Sequence, residues 1–450
     1  MSAAPPAGGL LSVEEARAGV LAAIHGPLGT ERVRTADTRV LGRVLAADVA
    51  AAVSLPPWDN SAMDGYAIRA ADTRDATEAE PARLRVVGDI AAGAAPTSPV
   101  GPGTAVRIAT GAPVPPGADA VVPVEQTTPI DEHGEPGPRG RDATGPLPAV
   151  CLVHAAIDPG EAIRPAGSDL AAGATLLSAG TRLTPAGIAL LAGAGVADVE
   201  VHRRPRIAVL ATGDEVRAPG DPLGPAGIPD ANGPGLRALV AAAGCEPLDL
   251  GIARDDLDDV VARLHGALDE GADAIIVSGG VSVGPFDVVK TAIERIGTID
   301  LWRVAVQPGK PFAFGTAPRP AAAGGGDVLV FGLPGNPVSG FVTFELFVRP
   351  ALKRLAGRRD LLRAADRAVL LEPVSKSHGR RAYLRVVSER DDAGAVIRDE
   401  SGRVKVRLAG GQGSHVISAL AAADAFAIIP ETNDSLPAGA TVALWWLDQT

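Results

Sequence analysis

At 450 residues the chain is too long for one ordinary hydrophobic core and predicts several domains. With 46% hydrophobic and 21% charged residues it is a folding sequence, and only 3% aromatics leaves Ala, Val, Leu and Ile to fill the cores. A net charge of −11 excludes the cationic footprint of non-specific nucleic-acid binding, and two cysteines in unlike contexts, Cys151 and Cys245, exclude a disulfide framework or a CxxC metal site.

Residues 1–11 carry no basic stretch ahead of an apolar run, so no secretory signal is expected. No stretch approaches the roughly 18 apolar residues of a membrane span. These features predict a soluble, cytoplasmic protein.

Residues 12–26 read as a helix. Ser12 and Glu15 form a capping-box pattern, and Val13, Ala16, Val20, Leu21 and Ile24 recur at helical spacing. Thr38 to Val49 reads as a shorter helix or a turn-rich segment. From Leu55 to about Val153, short β-leaning runs at Leu84–Val87, Ala105–Ile108 and Ala120–Val124 alternate with Gly and Pro clusters, the pattern of a small β domain or barrel. Thr184 and Pro185 then open another helix as cap and first residue.

The stretch from 204 to 357 alternates strand and helix, which predicts βαβ units and a mainly parallel sheet. Its strands are Arg206–Ala211, Glu246–Gly251, Ala274–Val277, Leu301–Val306, Phe312–Gly315 and Val328–Phe331. Its helices are Gly235–Ala243, Leu257–Leu268, Phe286–Ile296 and Val338–Leu355. After Gly357, β-like runs at Ala368–Leu371, Tyr383–Val387, Val396–Asp399, Ala425–Ile429 and Ala440–Leu447 predict a compact C-terminal β domain.

Open parallel sheets bind ligands where the loops at the carboxyl ends of their strands converge. Four unusual loops are predicted there: Thr212-Gly213-Asp214-Glu215, Arg254-Asp255-Asp256, Ser278-Gly279-Gly280-Val281-Ser282, and Pro334-Gly335-Asn336-Pro337. Each alone reads as an ordinary turn, and Asp255-Asp256 as a helix cap; four at one sheet edge read as a site. Backbone N–H groups and serine hydroxyls there suit an anion, and Arg303 and Lys310 add positive charge. Asp214, Glu215, Asp255 and Asp287 add hard oxygen donors. Carboxylates beside a bound phosphate point to a bridging Mg²⁺ and to metal-assisted chemistry on a phosphorylated substrate. A second constellation, Pro57 to Ala67 with Asp59, Asn60, Ser61, Asp64 and Tyr66, lies in the β domain, as does a loop with Thr110 at its tip. Each reads equally well as a tight turn or as part of a site.

In order along the chain stand DNSAMDGYA, IATGAPVPPGADAVV, ATGDE, SGGVSVG, PGKPFAFG and GLPGNPVS. Together they resemble the MoeA family of molybdopterin molybdotransferases, which includes the E domain of gephyrin, from about residue 12 to 445. The resemblance implies a multidomain α/β plus β chain. Residues 1–54 and 154–203 would form an elongated linker-like domain and 55–153 an inserted β domain. Residues 204–357 would form the molybdopterin-binding α/β domain and 358–450 a C-terminal β barrel.

It further implies a homodimer with the active site between the α/β domain of one subunit and the inserted domain of the other. The implied reaction inserts molybdenum from molybdate into adenylylated molybdopterin, with Mg²⁺-dependent hydrolysis of the adenylate and release of AMP. The adenylyltransferase and apo-molybdoenzymes would be protein partners. Carried over residue by residue, the functional acids fall on Asp64, Asp169, Glu215, Asp255 and Asp287, with Arg303 and Lys310 as catalytic cations. Thr110, Thr212–Asp214, Ser278–Ser282 and Pro334–Pro337 would bind substrate, and Glu215, Asp255 and Asp287 would hold the metal. The chain departs from many relatives around Ser168-Asp169, where an acid and part of a basic cluster are missing. It also departs at Arg303 and Gln307, where some relatives carry lysines, which leaves molybdate against tungstate open. An adenylyltransferase and a non-catalytic scaffold are the competing readings.

Overall fold

The computed structural model describes residues 10–140, 145–280 and 288–447. Helix α1 (Val13–Ala22) opens on the expected capping box: Glu15 N–H donates to Ser12 Oγ at 3.1 Å, and Ser12 N–H donates to the Glu15 carboxylate at 2.8 Å. It ends four residues short of the predicted boundary. Its buried face, Val13, Ala16 and Val20, shares a core with Trp302, so α1 packs on the α/β domain.

The segment expected as helix or turn at Thr38–Val49 is turn-rich, with one 3-10 turn at Thr38–Val40. Three small antiparallel pairs bind the chain that precedes the inserted sheet to the chain that follows it. They join Thr30–Arg34 to Asp198–His202, Val49–Ala50 to Thr175–Leu177, and Asn60–Ser61 to Ile163–Arg164. Helix α2 (Pro185–Gly193) starts as predicted, with Gly187 N–H donating to Thr184 Oγ1 at 3.1 Å.

Between these pairs lies a six-stranded sheet, in the order Ala120–Pro123, Gly65–Ile68, Thr104–Ile108, Ala82–Ile90, Val150–Val153, Thr127–Ile130. Its edge strands do not pair with each other among the described residues, so the inserted domain is a sheet rather than a closed barrel.

The α/β domain runs β1 (Arg206–Thr212), α3 (Asn232–Ala242), β2 (Glu246–Ala253), α4 (Leu257–Asp269), β3 (Ala274–Ser278) and α5 (Val288–Ile296). It continues with β4 (Thr298–Arg303), β5 (Pro311–Pro318), β6 (Asp327–Leu333) and α6 (Pro337–Thr343). A π-helical turn, Phe344–Val348, carries α6 without a break into α7 (Arg349–Leu355). The sheet order is β2-β1-β3-β6-β5-β4; the first four strands are parallel, and β5 is antiparallel to both its neighbours. Alternation along the strands fills both faces. Ile207, Val209 and Ile276 pack with α3 and the 337–355 helix; Ala208, Leu210 and Ile275 pack with α4 and α5.

The C-terminal domain is a closed five-stranded barrel of β7 (Ala365–Leu370), β8 (Arg381–Ser388), β9 (Val404–Leu408), β10 (Ala425–Ile429) and β11 (Thr441–Trp446). It is ordered β8-β9-β7-β11-β10 and closed by the β8–β10 pairing. The strand expected at Val396–Asp399 does not form. Asp391 accepts the Ala393 and Ala395 N–H groups on one side, and Asp399 accepts those of Ser401 and Arg403 on the other. Two side-chain-closed turns so near each other leave only isolated bridges, and the ladder shifts to β9. Among the described residues no helix is long and apolar enough to cross a membrane.

Candidate active site

The strand register brings the predicted loops together. Thr212 at the end of β1 pairs with Ala253 of β2, Ala211 pairs with Ser278 at the end of β3, and Ser278 pairs with Leu333 at the end of β6. The loops that leave these residues enclose a cavity of about 580 Å³. Of the predicted residues, Thr212, Gly213, Glu215, Asp255, Ser278, Gly279, Gly280, Gly335, Asn336 and Pro337 line it.

Asp214 and Pro334 do not line this cavity. Asp214 borders a neighbouring depression, and its Oδ1 accepts the Asp255 N–H at 3.3 Å. The helix-cap reading of the acidic pair applies to Asp256 alone, whose carboxylate accepts the Asp259 N–H at 2.9 Å, while Asp255 lines the cavity. Val281, Ser282 and Asp287 lie outside the described residues.

The floor of the cavity carries groups suited to an anion. Ser278 is 2% exposed, and its Oγ has no hydrogen-bond partner among the described residues. Thr212 Oγ1 donates to the Ser278 carbonyl at 3.3 Å, which holds the ends of β1 and β3 together. The Gly335 and Asn336 N–H groups have no acceptor among the described residues. A buried polar group without a partner costs about 1–3 kcal/mol, which applies to the Ser278 hydroxyl; with the two exposed amides on the same cavity it forms a place where an oxyanion is favoured.

Arg303 and Lys310 stand at the same sheet edge beyond β6, Lys310 preceding β5 one strand away and Arg303 ending β4 two strands away, with Val304 N–H donating to the Lys310 carbonyl at 2.9 Å. Neither lines the cavity. Asp64 and Thr110 meet in the inserted domain: the Thr110 N–H and hydroxyl both donate to Asp64 Oδ1, at 2.6 and 2.7 Å. The backbone bond first, then the hydroxyl, hold the Asp64 carboxyl below the usual carboxylate range. Asp64 borders a separate cavity of about 200 Å³ that shares no lining residue with the larger one. Asp169 is exposed, and its N–H donates to the Leu55 carbonyl at 3.0 Å.

Among the lining residues outside the predicted set, three carry polar side chains: Asp230, Asn232 and His415. The first two flank the start of α3. His415 comes from the C-terminal barrel, on a loop fixed by the fully buried Arg385 of β8. One guanidinium nitrogen of Arg385 donates to the Gly411 and Gly413 carbonyls at 2.9 and 3.1 Å, while Nε and Nη1 have no acceptor among the described residues. Gln412 closes the loop against the Arg385 backbone from both sides, at 2.9 and 3.1 Å.

Three family profiles match in sequence: the MoeA N-terminal region (domains I and II) at residues 11–195, the probable molybdopterin-binding domain at 208–354, and the MoeA C-terminal region (domain IV) at 367–447. The chain is 39% identical to molybdopterin molybdenumtransferase 2 of Mycobacterium tuberculosis over 91% of its length and 93% of that protein. It is 33% identical to the molybdopterin molybdenumtransferase of Haemophilus influenzae over 97% of its length and 98% of that protein. The chain belongs to the MoeA family.

A solved molybdopterin biosynthesis MoeA protein from Pyrococcus horikoshii superposes with a TM-score of 0.75 at 32% identity, over 97% of this chain and 99% of that one. The fold is that of the family, and the chain is an enzyme of molybdenum cofactor biosynthesis, a molybdopterin molybdenumtransferase. The conserved architecture explains why loops so far apart in sequence as 212–215 and 335–337 build one cavity.

Proposed function

We propose that the cavity binds adenylylated molybdopterin and that the enzyme inserts molybdenum from molybdate, hydrolysing the adenylate and releasing AMP. The observation that carries this reading is the buried Ser278 hydroxyl on the same cavity as the Gly335 and Asn336 N–H groups, all three without a partner among the described residues, a wall that a phosphate would satisfy. A pterin with its side chain needs a roomy, mixed polar and apolar cleft, and about 580 Å³ falls within the usual range for such ligands.

Among the described residues no cluster of three His, Cys, Asp or Glu side chains stands ready for a metal. Mg²⁺, however, is commonly held by one or two carboxylates together with substrate phosphates. Glu215 and Asp255 fit that role on the cavity wall, with Asp287 as the third carboxylate of the expected set. The ion would neutralise phosphate charge there. The cations assigned to molybdate are Arg303 and Lys310.

The separation of the Asp64–Thr110 pair from the cavity within one chain supports a homodimer in which the partner's inserted domain completes the site. Cys151 and Cys245 are both buried thiols, which supports the reading of a reducing cytoplasm. The test is AMP release from adenylylated molybdopterin and Mg²⁺, with and without molybdate. Molybdate-dependent release is expected; AMP formed from ATP with no adenylate supplied would replace insertion with adenylyl transfer.

Ser278→Ala separates binding from folding. The hydroxyl satisfies no group among the described residues, so its removal is expected to leave stability unchanged or raise it by up to about 1 kcal/mol. Affinity for the adenylate is expected to fall about tenfold, as for a lost hydrogen bond to a charged group. Isothermal titration and thermal melting read the two effects. A drop in stability with affinity intact would remove Ser278 from the binding wall.

A further inference from the structure

The start of α3 holds two residues of the kind that cap helices, and only one of them caps. Asp230 Oδ1 accepts the Gly233 N–H at 2.9 Å, which satisfies one of the amides a helix start leaves open. Asn232 caps nothing. Its Nδ2 instead reaches out of the helix and donates to the Gly335 carbonyl at 2.7 Å, across 103 residues of sequence.

The Gly335–Asn336 peptide is planar and trans, so its C=O and N–H point in opposite directions. A donor fixed on the carbonyl therefore sets where the N–H points, away from Asn232. That N–H is one of the two at the wall with no acceptor among the described residues. The next peptide is held as well: the Asn336 C=O accepts the Gly340 N–H at 3.0 Å. Asn232, Gly335 and Asn336 all line the same cavity.

We propose that Asn232 is a positioning residue for phosphate binding: it clamps the Gly335 carbonyl so that the Asn336 N–H is held open as an oxyanion donor. An amide already aimed at its ligand need not be ordered on binding, so the clamp appears as affinity. The inference rests on the proposed function only for the identity of the natural substrate; the clamp itself is defined for any phosphate or pyrophosphate oxyanion.

The experiment compares wild type, Asn232→Ala and Asn232→Asp in the full-length protein. Inorganic pyrophosphate is the probe for the clamp, adenylylated molybdopterin the probe for the function, and thermal melting the control. The aspartate variant keeps the size of the side chain and loses the donor, so it stays informative if the alanine variant folds poorly. Both variants are expected to bind pyrophosphate about tenfold more weakly than wild type, the aspartate at least as weakly as the alanine, with kcat at saturating adenylate within a factor of about two.

Pyrophosphate affinity equal to wild type in either folded variant overturns the clamp, as does wild type that binds no pyrophosphate. A loss of affinity that comes with an equal fall in the thermal midpoint of both variants would also overturn it, because a merely structural tie acts through the fold. Wild type that binds pyrophosphate but not the adenylate overturns the functional reading and leaves the clamp standing.

Discussion

Gly279→Ala is expected to lower turnover about a hundredfold while leaving most of the molecule folded. Gly279 has φ +103°, a conformation that L side chains rarely adopt, and its N–H donates to the Leu333 carbonyl at 3.1 Å, so the loop cannot relax without releasing β6. A Cβ there would lie 2.7 Å from Thr212 Oγ1 and 2.8 Å from the Thr212 carbonyl oxygen. The hydroxyl can rotate away, but the carbonyl belongs to the end of β1 and cannot. The backbone term alone costs about 1–3 kcal/mol, and the contact is relieved only by moving the β3 loop away from β1.

Ser278 and Gly280 flank this position on the cavity wall, so the movement displaces the hydroxyl and the amides together. A misplacement of about 1 Å in such a wall is enough to lower turnover about a hundredfold. Steady-state AMP release and thermal melting check the prediction. A variant with turnover within about threefold of wild type would mean that the β3 loop does not grip the substrate.

The parts of the site that were legible in the sequence share one property: their signal is local. RIAVLA and AIIV are buried on both faces, so they read as continuous apolar runs, and each is followed at once by the glycine loop that its parallel register requires. What was missed depends on partners far away. Two-residue strands such as Val49–Ala50 have no periodicity, and their partner lies more than a hundred residues further on.

His415 reaches the cavity from another domain, by way of a loop whose shape depends on a buried arginine in β8. Nothing in Gly411–His415 announces that destination. Asn232 did leave a trace: Asp230-Ala231-Asn232 supplies two Asx residues to one helix start, one more than capping uses. Arg303 and Lys310 stand at the same edge of the sheet but do not line the cavity, because β5 and β4 lie beyond β6.

The largest expected effect on stability comes from Glu345→Gln, at a site remote from the proposed chemistry. The Glu345 side chain is 1% exposed and lies in the π-helical turn between α6 and α7. Its two oxygens accept from Arg349 at 2.7 and 2.8 Å and from Arg363 at 2.9 and 3.1 Å. Arg363 also donates to the Leu447 carbonyl, beyond β11, so one carboxylate joins the last helix of the α/β domain to both ends of the barrel.

Burial pushes the Glu345 carboxyl up, but hydrogen bonds from Arg363 and the charge and hydrogen bonds of Arg349 outweigh it and hold the carboxyl below its ordinary value of 4.5. The depressed value fixes the sign of its pH dependence. The carboxylate stabilises the fold fully above about pH 4.5, and that contribution is lost as pH falls through the folded-state value. Glutamine keeps the shape and removes the charge, leaving two buried guanidinium groups without a counter-ion, a change that costs about 3–5 kcal/mol.

Denaturant unfolding at pH 7 is therefore expected to show a lower midpoint for the variant, with the difference from wild type shrinking as the pH is taken well below 4.5. Turnover of the folded fraction should stay near wild type, since Glu345 does not line the cavity. An unchanged midpoint at pH 7 would show that the arginines find other acceptors, and the barrel would then be held to the α/β domain by its apolar contacts, Phe426 and Tyr383 among them.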